Sequence, residues 1–319
     1  MASRVIHIVS HGPHCLDGAA AAASIARFHE GAEVKAHFPS NKTVGDTIRR
    51  IHPKPGEDLW ITDISWNDEA TDAHLRRLIE AGVRVHWIDH HKTAIERLAA
   101  GGYQLDFTTK IVKDDFSAAK LTWDHLAEIG GEDTPARFRT FGRMAEIADD
   151  NDRWIHAIEG SRDLGLVLRA LPARAGFEAF VEMDDDLADT PAMAEARTRV
   201  TAELKRNRNL ANDTRVDRAL GDMTLTTALC DGYAGEIADE WGKSCKRTAF
   251  ALFDVRSRAM SFRRSPDFDF DLSRLAELCG GGGHPAASGA SIPELGRGLG
   301  EEVLREILTR GRTMFDENQ

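Results

Sequence analysis

The sequence predicts an α/β protein whose N-terminal part contains a doubly wound, mainly parallel β-sheet. Three short apolar segments have the character of buried strands, at residues 5–10, 59–64 and 83–88. Two segments between them have helical character: the alanine-rich stretch 19–28, and residues 68–82, which show helical periodicity and end at glycine. Strands that alternate with helices in this way are typical of a parallel sheet covered by helices on both faces.

The chain is long enough for two domains, since it has 319 residues of which 42% are hydrophobic. We assign residues 1–188 to an N-terminal domain, 189–214 to a linker helix and 215–319 to a smaller C-terminal α/β domain. Thr190 can cap the linker helix, with Pro191 in its first turn. This helix is strongly charged, as expected for a helix that is exposed to solvent between two domains.

The remaining elements follow from local patterns. Further helices are predicted at residues 117–128 and 135–149 of the first domain. In the second domain, the patterns predict strands at 223–230, 248–255 and 257–263, helices at 234–243 and 272–279, a glycine-rich turn at 280–290 (GGGGHPAASGA) and a terminal helix.

Composition and charge exclude several classes of function. The formal net charge is −11, which disfavours binding of long duplex nucleic acid but permits a short anionic substrate at a local site. The basic stretches 137–143 and 204–209 are interpreted as solvated helix faces. No apolar run approaches the ~20 residues of a membrane span, and the N-terminus lacks the apolar core of a signal peptide. The scattered cysteines form no CxxC pair and favour a reducing cytoplasm, with no disulfide framework among Cys15, Cys230, Cys245 and Cys279.

Four groups of polar residues lie near the ends of predicted elements. They are His11, Cys15 and Asp17; Asp63; Asp89, His90 and His91; and the acidic run 149–152. In open parallel sheets, ligands bind beyond the carboxyl ends of the strands. Carboxylate and imidazole ligands suit Mn²⁺, and several carboxylates in one place repel one another unless cations neutralise them. We therefore expect two Mn²⁺ ions, with Mg²⁺ or Co²⁺ as alternatives, that activate water for attack at phosphorus.

Each group alone has a simpler interpretation. A single histidine at a strand end is usually an ordinary polar residue, and an acidic run at a helix end is usually solvated. Acidic residues at a helix C-terminus nevertheless oppose the helix dipole. The combined order and position of the four groups favour a common site.

The order of these motifs resembles the DHH superfamily of phosphoesterases. The segment GGGGHPAASG, preceded by SFRRS, is similar to the C-terminal domain found with many members of that superfamily. The resemblance covers nearly the whole chain and is nearest to the branch of oligoribonucleases and nucleotide phosphodiesterases. It implies the doubly wound catalytic domain and a separate substrate-binding domain.

The resemblance also implies roles for individual residues. Metal ligands would be His11, Asp17, Asp63, His90 and Asp150, with Asp63 bridging two ions. His91 would contact the substrate phosphate, and Asp89 would orient its neighbours from behind. Asp150 is chosen because Asp150-x-Asp152-x-Trp154 is similar to the family's Asp-x-Asp-x-Trp spacing, and Asp149 is the alternative.

One position departs from the family pattern, because Cys15 stands where the family commonly has aspartate. A thiolate is softer than a carboxylate and favours a more thiophilic ion. Cys15 is assigned as a ligand, and the neighbouring His14 is the alternative. In the C-terminal domain the resemblance implies substrate binding by Arg263, Gly281, Gly282, Gly283 and His284, with Arg264 as a less certain neighbour. The glycine N–H groups could hold an anion, whereas a tight structural turn is the simpler interpretation.

The expected function is hydrolysis of phosphodiester or phosphomonoester bonds in short nucleotide substrates. Short oligoribonucleotides rank first, followed by 3′,5′-phosphorylated adenosine and cyclic mono- or dinucleotides. Processive DNA exonucleases of the family have additional domains, and its pyrophosphatases carry a different second domain. The alternative is a non-catalytic nucleotide-binding regulatory protein on the same fold. The sequence leaves open whether the chain forms a homodimer.

Overall fold

The structure is a computed structural model that describes residues 4–12 and 14–310. Its contacts divide the chain into two compact units, Met1–Val200 and Thr201–Gln319. Each unit contains its own β-sheet and its own hydrophobic clusters. The expected α/β class is therefore confirmed in both parts of the chain.

The first unit is built on a five-stranded, fully parallel sheet. Its strands are β1 (Val5–Ser10), β2 (Glu33–His37), β3 (Asp58–Thr62), β4 (Arg84–Asp89) and β5 (Thr109–Val112). Their order across the sheet is β2-β1-β3-β4-β5. The three predicted strands are the buried central ones, β1, β3 and β4. The edge strands β2 and β5 were missed because they are short and only partly buried, so neither produces an apolar run.

Helices cover both faces of this sheet, so the prediction of a doubly wound fold is confirmed. They are α1 (Leu16–Phe28), α2 (Val44–Arg49), α3 (Glu69–Glu80), α4 (Lys92–Ala99), α5 (Ala118–Gly130), α6 (Ala136–Thr140), α7 (Gly142–Asp152), α8 (Ser161–Arg169), α9 (Ala173–Glu182) and α10 (Pro191–Asp213). Two separate hydrophobic clusters lie against the sheet. The small alanine side chains of α1 are buried against β1 and several helices, which lets this helix pack closely at the centre of the unit.

The helix predicted at 135–149 is wrong in its bounds. The structure has two helices there, with a break at Phe141, and α7 continues to Asp152. Gly142 lies against Trp123 so closely that a Cβ atom would be 2.6 Å from the indole Cζ2, so a larger residue would push the two helices apart. The extension of α7 decides which acidic residue of the run 149–152 reaches the candidate site.

The strand order creates a switch point between β1 and β3. From β1 the chain crosses to β2 on one side, whereas β4 and β5 follow on the other side of β3. The carboxyl ends of β1 and β3 are adjacent, and His11 N–H donates to the Thr62 carbonyl (3.3 Å). In doubly wound sheets this position is where ligands bind, because the loops diverge and leave a crevice.

The second unit contains a mixed six-stranded sheet. Its strands are β6 (Val216–Leu220), β7 (Met223–Cys230), β8 (Thr248–Asp254), β9 (Ala259–Arg264), β10 (Gly282–His284) and β11 (Ala287–Ser291), in the order β10-β11-β9-β8-β7-β6. Only β7 and β8 pair in parallel. The helices of this unit that follow α10 are α11 (Ala234–Gly242), α12 (Leu272–Leu278) and α13 (Pro293–Arg310). The predicted elements are present, but β6, β10 and β11 were missed, since β6 is exposed throughout and β10 begins with two glycines.

The long helix α10 lies where a linker helix was expected. The boundary between the two units falls inside it, after Val200, so each unit includes part of the helix. Of the helices in the described part of the chain, none combines the length and the apolar character that a membrane span requires.

A buried carboxylate anchors the start of β3. Asp58 accepts hydrogen bonds from Arg84 Nε and Nη2 (both 2.7 Å) and from Arg4 Nε (3.0 Å), and His86 Nε2 lies 3.2 Å from its Oδ1. Burial raises the pKa of Asp58, but these hydrogen bonds outweigh burial and lower it below its ordinary value. The bonds join β3 to its neighbour β4 and to the segment before β1.

We expect Asp58→Asn to lower the free energy of unfolding by about 1.5–3 kcal/mol at pH 7, because it removes charge-assisted hydrogen bonds to a buried group. The lowered pKa means that this stabilisation is present above the unfolded-state pKa of about 4 and is lost as pH falls through the folded-state value. The free energies of unfolding of wild type and variant, measured with urea, should therefore differ most near neutral pH and become equal in acid.

A matched control is Glu33→Gln, which removes an exposed ion pair with Lys35 (3.3 Å). This variant should change stability by less than about 0.5 kcal/mol. Equal unfolding midpoints for wild type and Asp58→Asn at pH 7 would contradict the role of Asp58.

Candidate metal centre

Asp63 lies at the centre of a cluster of potential ligands beyond the carboxyl ends of β1, β3 and β4. Its side chain is 1% exposed, and its two oxygens face different partners. Oδ2 is 3.6 Å from His11 Nδ1 and 3.1 Å from Cys15 Sγ. Oδ1 is 3.4 Å from His90 Nε2 and 3.9 Å from His91 Nδ1. One carboxylate is thus shared by two sets of donor atoms.

The backbone of Asp63 is strained. Its φ is 58°, in the left-handed region that residues other than glycine rarely adopt. Such a conformation costs on the order of 1–3 kcal/mol and persists where the surrounding structure enforces it. Here the Asp63 N–H donates to the Ile88 carbonyl (3.0 Å), which fixes the chain as it leaves β3. The strain turns the carboxylate toward the neighbouring strand ends.

The first donor set consists of His11, Cys15 and one oxygen of Asp63. Cys15 is the N-cap residue of α1, and its Sγ accepts from Gly18 N–H (3.5 Å) while the thiol donates to Asp63. Burial, together with the charge of Asp63, raises the pKa of the Cys15 thiol well above its ordinary value.

Gly18 makes this close approach sterically possible. A Cβ atom at this position would lie 2.3 Å from the His11 carbonyl oxygen and 3.1 Å from Asp63 Oδ2. Gly18 was not among the residues predicted from the sequence to have a role in the site. Its position one residue after Asp17, in the same turn as two candidate ligands, was the available signal.

The second donor set consists of His90, Asp17 and Asp152, with Asp63 beside it. His90 Nε2 lies 3.6 Å from Asp17 Oδ2, 3.4 Å from Asp63 Oδ1 and 3.4 Å from Asp152 Oδ2. This buried nitrogen has no hydrogen-bond partner of its own. Burial lowers the pKa of His90, but the surrounding carboxylates outweigh burial and raise it to about 9.

Asp17 is held rigidly by the start of another helix. Its two oxygens accept from the N–H groups of Ala118 and Ala119 (both 2.8 Å) in the first turn of α5. A helix N-terminus favours a negative charge because its first N–H groups have no partners within the helix. Burial and the charges of Asp63 and Asp152 nevertheless raise the pKa of Asp17 well above its ordinary value. The fold brings these carboxylates together against their mutual repulsion.

The chemistry of the two donor sets fits divalent cations. Burial and the charge of Asp63 also raise the pKa of Asp152, whereas hydrogen bonds from His11 and His90 outweigh burial and lower the pKa of Asp63. In each set the donor atoms lie close enough together to bind a single ion. The first set offers an imidazole nitrogen, a thiol and a carboxylate oxygen, and the second offers an imidazole nitrogen and carboxylate oxygens. Burying an imidazole nitrogen without a hydrogen-bond partner costs free energy, and binding of a cation to that nitrogen removes the cost.

His91 forms a third group of possible ligands with Asp63 and His90, but its Nδ1 lies closer to Asp89. Asp89 Oδ1 accepts from the His90 N–H (2.7 Å), from the His91 N–H (3.1 Å) and from His91 Nδ1 (2.7 Å). Ser65, which the sequence analysis missed, donates its hydroxyl to Asp89 Oδ2. The hydrogen bond from His91 to Asp89 raises the pKa of His91. Asp89 therefore orients the His91 ring, whose side chain is 40% exposed.

The structure does not place Asp150 in the cluster. Its carboxylate accepts from Ala157 N–H (2.8 Å), Ile158 N–H (3.2 Å) and the Ser161 hydroxyl, and so it organises the loop after α7. Because α7 continues to Asp152, residues 150 and 152 point roughly 200° apart around the helix. The structure therefore places Asp152, and not the expected Asp150, beside His90.

The two alternative ligands also lie elsewhere. Asp149 Oδ1 accepts from Ser117 N–H (2.6 Å), and its other oxygen pairs with Arg153 (3.4 Å). His14 has a left-handed φ of 74° and directs Nδ1 to the Leu171 carbonyl (3.1 Å). Cys15, rather than His14, thus belongs to the donor set.

The glycines of the second unit have structural explanations. Gly282 and Gly283 begin β10, which pairs with β11 in a hairpin. A Cβ atom on Gly281 would lie 2.0 Å from the Gly289 carbonyl oxygen, and Gly283 has a φ of 140°. The N–H groups of Gly280 and Gly281 donate to carbonyls at the end of α12, so these two N–H groups are not available to hold an anion. Close packing explains these glycines better than the expected anion cradle.

The two neighbouring arginines of β9 differ. Arg264 Nη1 pairs with Asp269 (2.7 Å) and donates to the Phe268 carbonyl. Arg263 is half-buried, and its Nη1 donates to the carbonyls of Phe262 (2.7 Å) and Ser288 (3.4 Å). Burial lowers the pKa of Arg263. The charge of Glu236 opposes this effect of burial. His284, at the end of β10, is exposed.

Comparison with known proteins identifies relatives across most of the chain. No model of a known protein family matches it. It is 23% identical over 303 residues to oligoribonuclease NrnB of Bacillus subtilis strain 168, covering 90% of this chain and 73% of that protein.

Solved structures also share the fold. The pGpG-specific phosphodiesterase PggH of Vibrio cholerae superposes with a TM-score of 0.57 at 15% identity, covering 97% of this chain and 99% of that one. The exonuclease RecJ bound to manganese superposes with a TM-score of 0.55 at 16% identity, covering 92% of this chain and 87% of that one. Both solved structures share the fold of this chain over most of its length, and the sequence similarity to NrnB extends over 90% of its residues.

Proposed function

We propose that this chain is a metal-dependent hydrolase of phosphodiester or phosphomonoester bonds in short nucleotide substrates. The observation that carries the proposal is the division of the Asp63 carboxylate between two donor sets. The named relatives support the substrate class, since they include an oligoribonuclease and a phosphodiesterase specific for pGpG. Short oligoribonucleotides are the substrates we place first.

Two divalent ions would be held by the chain's own side chains. One ion would be bound by His11, Cys15 and Asp63. The other ion would be bound by Asp17, His90 and Asp152, with Asp63 beside them. We propose Mn²⁺, with Mg²⁺ or Co²⁺ as alternatives, because RecJ was solved with manganese and the donors are of mixed hardness. Such ions supply Lewis acidity at the phosphate oxygens and lower the pKa of a water for attack at phosphorus.

His91 is proposed to contact the substrate phosphate. Asp89 occupies its Nδ1, so the opposite edge of the exposed ring is left for a ligand. The raised pKa of His91 favours the imidazolium form, which donates a charge-assisted hydrogen bond to a phosphate oxygen. Asp89 is a positioning residue in this scheme, because it holds the ring and does not touch the substrate.

In the second unit, Arg263 and His284 are proposed to bind the remainder of the nucleotide. Arg263 presents a half-buried guanidinium, whose planar group suits a phosphate. The four free cysteines agree with a reducing cytoplasm as the place of action. A purely regulatory nucleotide-binding role is disfavoured, because both donor sets are complete apart from the cysteine substitution.

Replacing His90 tests the hydrolytic function. His90→Ala should lower kcat/KM for Mn²⁺-dependent hydrolysis by at least about a thousandfold, because it removes a central ligand. The assay compares RNA dinucleotides to pentanucleotides, cyclic mono- and dinucleotides, 3′-phosphoadenosine 5′-phosphate and pyrophosphate. His52→Ala, at an exposed position outside the site, is the matched control. Near-normal turnover by His90→Ala would refute the assignment.

The acidic run offers a test that separates a ligand from a loop-organising residue. Asp152→Asn should weaken Mn²⁺ binding at least about tenfold in titration calorimetry, because it removes a carboxylate from the second donor set. Asp150→Asn should keep two bound ions but lower the free energy of unfolding by about 1–3 kcal/mol, because its partners are N–H and O–H groups of the loop. The reverse pattern would restore Asp150 as the ligand.

Cys15 should tune the choice of metal. Titration of the metal-free protein with Co²⁺ should produce a thiolate-to-cobalt charge-transfer band in the near ultraviolet, which Cys15→Ser removes. Cys15→Asp should shift the preference toward Mn²⁺ and Mg²⁺, since a carboxylate is harder than a thiolate. An unchanged cobalt spectrum in Cys15→Ser would exclude sulfur from the site.

A further inference from the structure

Two aromatic side chains beside the metal centre are exposed to solvent. Trp154 is 55% exposed and Phe116 is 39% exposed. In contrast, four other tryptophans in the described part of the chain are buried in hydrophobic clusters: Trp60, Trp66, Trp87 and Trp241. An exposed indole next to a polar site is an unusual use of a large apolar group.

The loop that carries Trp154 is fixed in place. Trp154 and His156 both have left-handed backbones, with φ of 57° and 52°. The Asp150 carboxylate holds the loop through Ala157 and Ile158, and the Asp150 carbonyl accepts from the N–H groups of residues 155 and 156 (2.9 and 3.3 Å). Two residues with strained backbones, held by a buried carboxylate, therefore keep the indole at the surface, where its ring contacts the His156 ring (centroids 4.4 Å apart).

Both aromatic residues lie near the second donor set in the sequence or through a hydrogen bond. Trp154 lies two residues after Asp152. Phe116 lies two residues before Ala118, whose N–H binds the Asp17 carboxylate. A substrate whose phosphate lies in the cluster can therefore place a neighbouring base against these rings.

Cationic side chains surround the two rings. Lys120 Nζ and the Arg153 guanidinium lie 5.3 and 5.7 Å from the Phe116 ring centroid. The Arg162 guanidinium lies 5.6 Å from the Trp154 ring. Lys120 and Arg153 also have carboxylate partners, at Asp124 and Asp149. The combination of exposed rings and arginine or lysine side chains is the one that single-stranded nucleic acids bind, by base stacking and by phosphate contact.

We propose that Trp154 and Phe116, with Lys120, Arg153 and Arg162, form a stacking surface for bases of a single-stranded oligonucleotide that flank the cleaved phosphate. This inference rests on the proposed function and makes it more specific, since it selects oligonucleotides over isolated nucleotide phosphates. It also gives Asp150 a purpose, because its carboxylate holds the loop that presents the indole.

Binding of a fluorescently labelled, hydrolysis-resistant phosphorothioate RNA pentamer to the Mn²⁺-loaded protein, measured by anisotropy, tests the surface without turnover. Trp154→Ala and Phe116→Ala should each raise Kd about tenfold, in the range for loss of one base–aromatic stack. Trp154→Phe should restore most of the affinity, because it keeps a ring for stacking. Ile129→Ala and Phe270→Ala, at positions 58% and 37% exposed, are controls that should leave Kd unchanged.

Two further results separate this inference from the proposed function. If wild type binds the pentamer but hydrolyses nothing with Mn²⁺, the stacking surface stands and the enzymatic function falls. If wild type hydrolyses the unmodified pentamer, and Trp154→Ala and Phe116→Ala show wild-type KM and Kd, the surface is refuted and the function stands. Failure of the Mn²⁺-loaded wild type to bind the phosphorothioate pentamer also refutes the surface. Circular dichroism of each variant shows that a change in Kd comes from a folded protein.

Discussion

The arrangement of the candidate metal centre depends on the placement of one buried carboxylate between two donor sets. Asp63 reaches that place because β1 and β3 are neighbours at the switch point of the sheet, and because its backbone is forced into the left-handed region. Gly18 leaves the space that this carboxylate needs, and the first turn of α5 fixes the opposing Asp17. The fold thus concentrates negative charge that only protons or metal ions neutralise.

The acidic run at the end of α7 shows how one short segment can serve several purposes. Asp149 receives the N–H of Ser117, Asp150 holds the loop that follows, and Asp152 faces His90. Helix geometry separates these directions, since successive residues are rotated by roughly 100°. The hydrogen bonds that Asp149 and Asp150 accept offset the unfavourable position of acidic residues at a helix C-terminus.

Much of the fold and of the candidate site could be predicted from the sequence, because buried central strands and motif order are local signals. The clustering of His11, Asp63 and His90 followed from the rule that parallel strands end at one edge. The choice between Asp150 and Asp152 could not be predicted, because it depends on where α7 ends. Edge strands such as β2 and β5 carry no apolar run, and the packing of Gly281 against Gly289 depends on contacts across the β10–β11 hairpin.

The shared role of Asp63 is most directly tested by anomalous diffraction from crystals grown with Mn²⁺ and collected at the manganese edge. Two anomalous peaks are expected on either side of the Asp63 carboxylate, about 3.5–4 Å apart as in other two-metal sites. One peak should lie near His11 and Cys15, and the other near His90 and Asp152. A single peak, or peaks that do not contact Asp63, would contradict the division of this carboxylate between two ions.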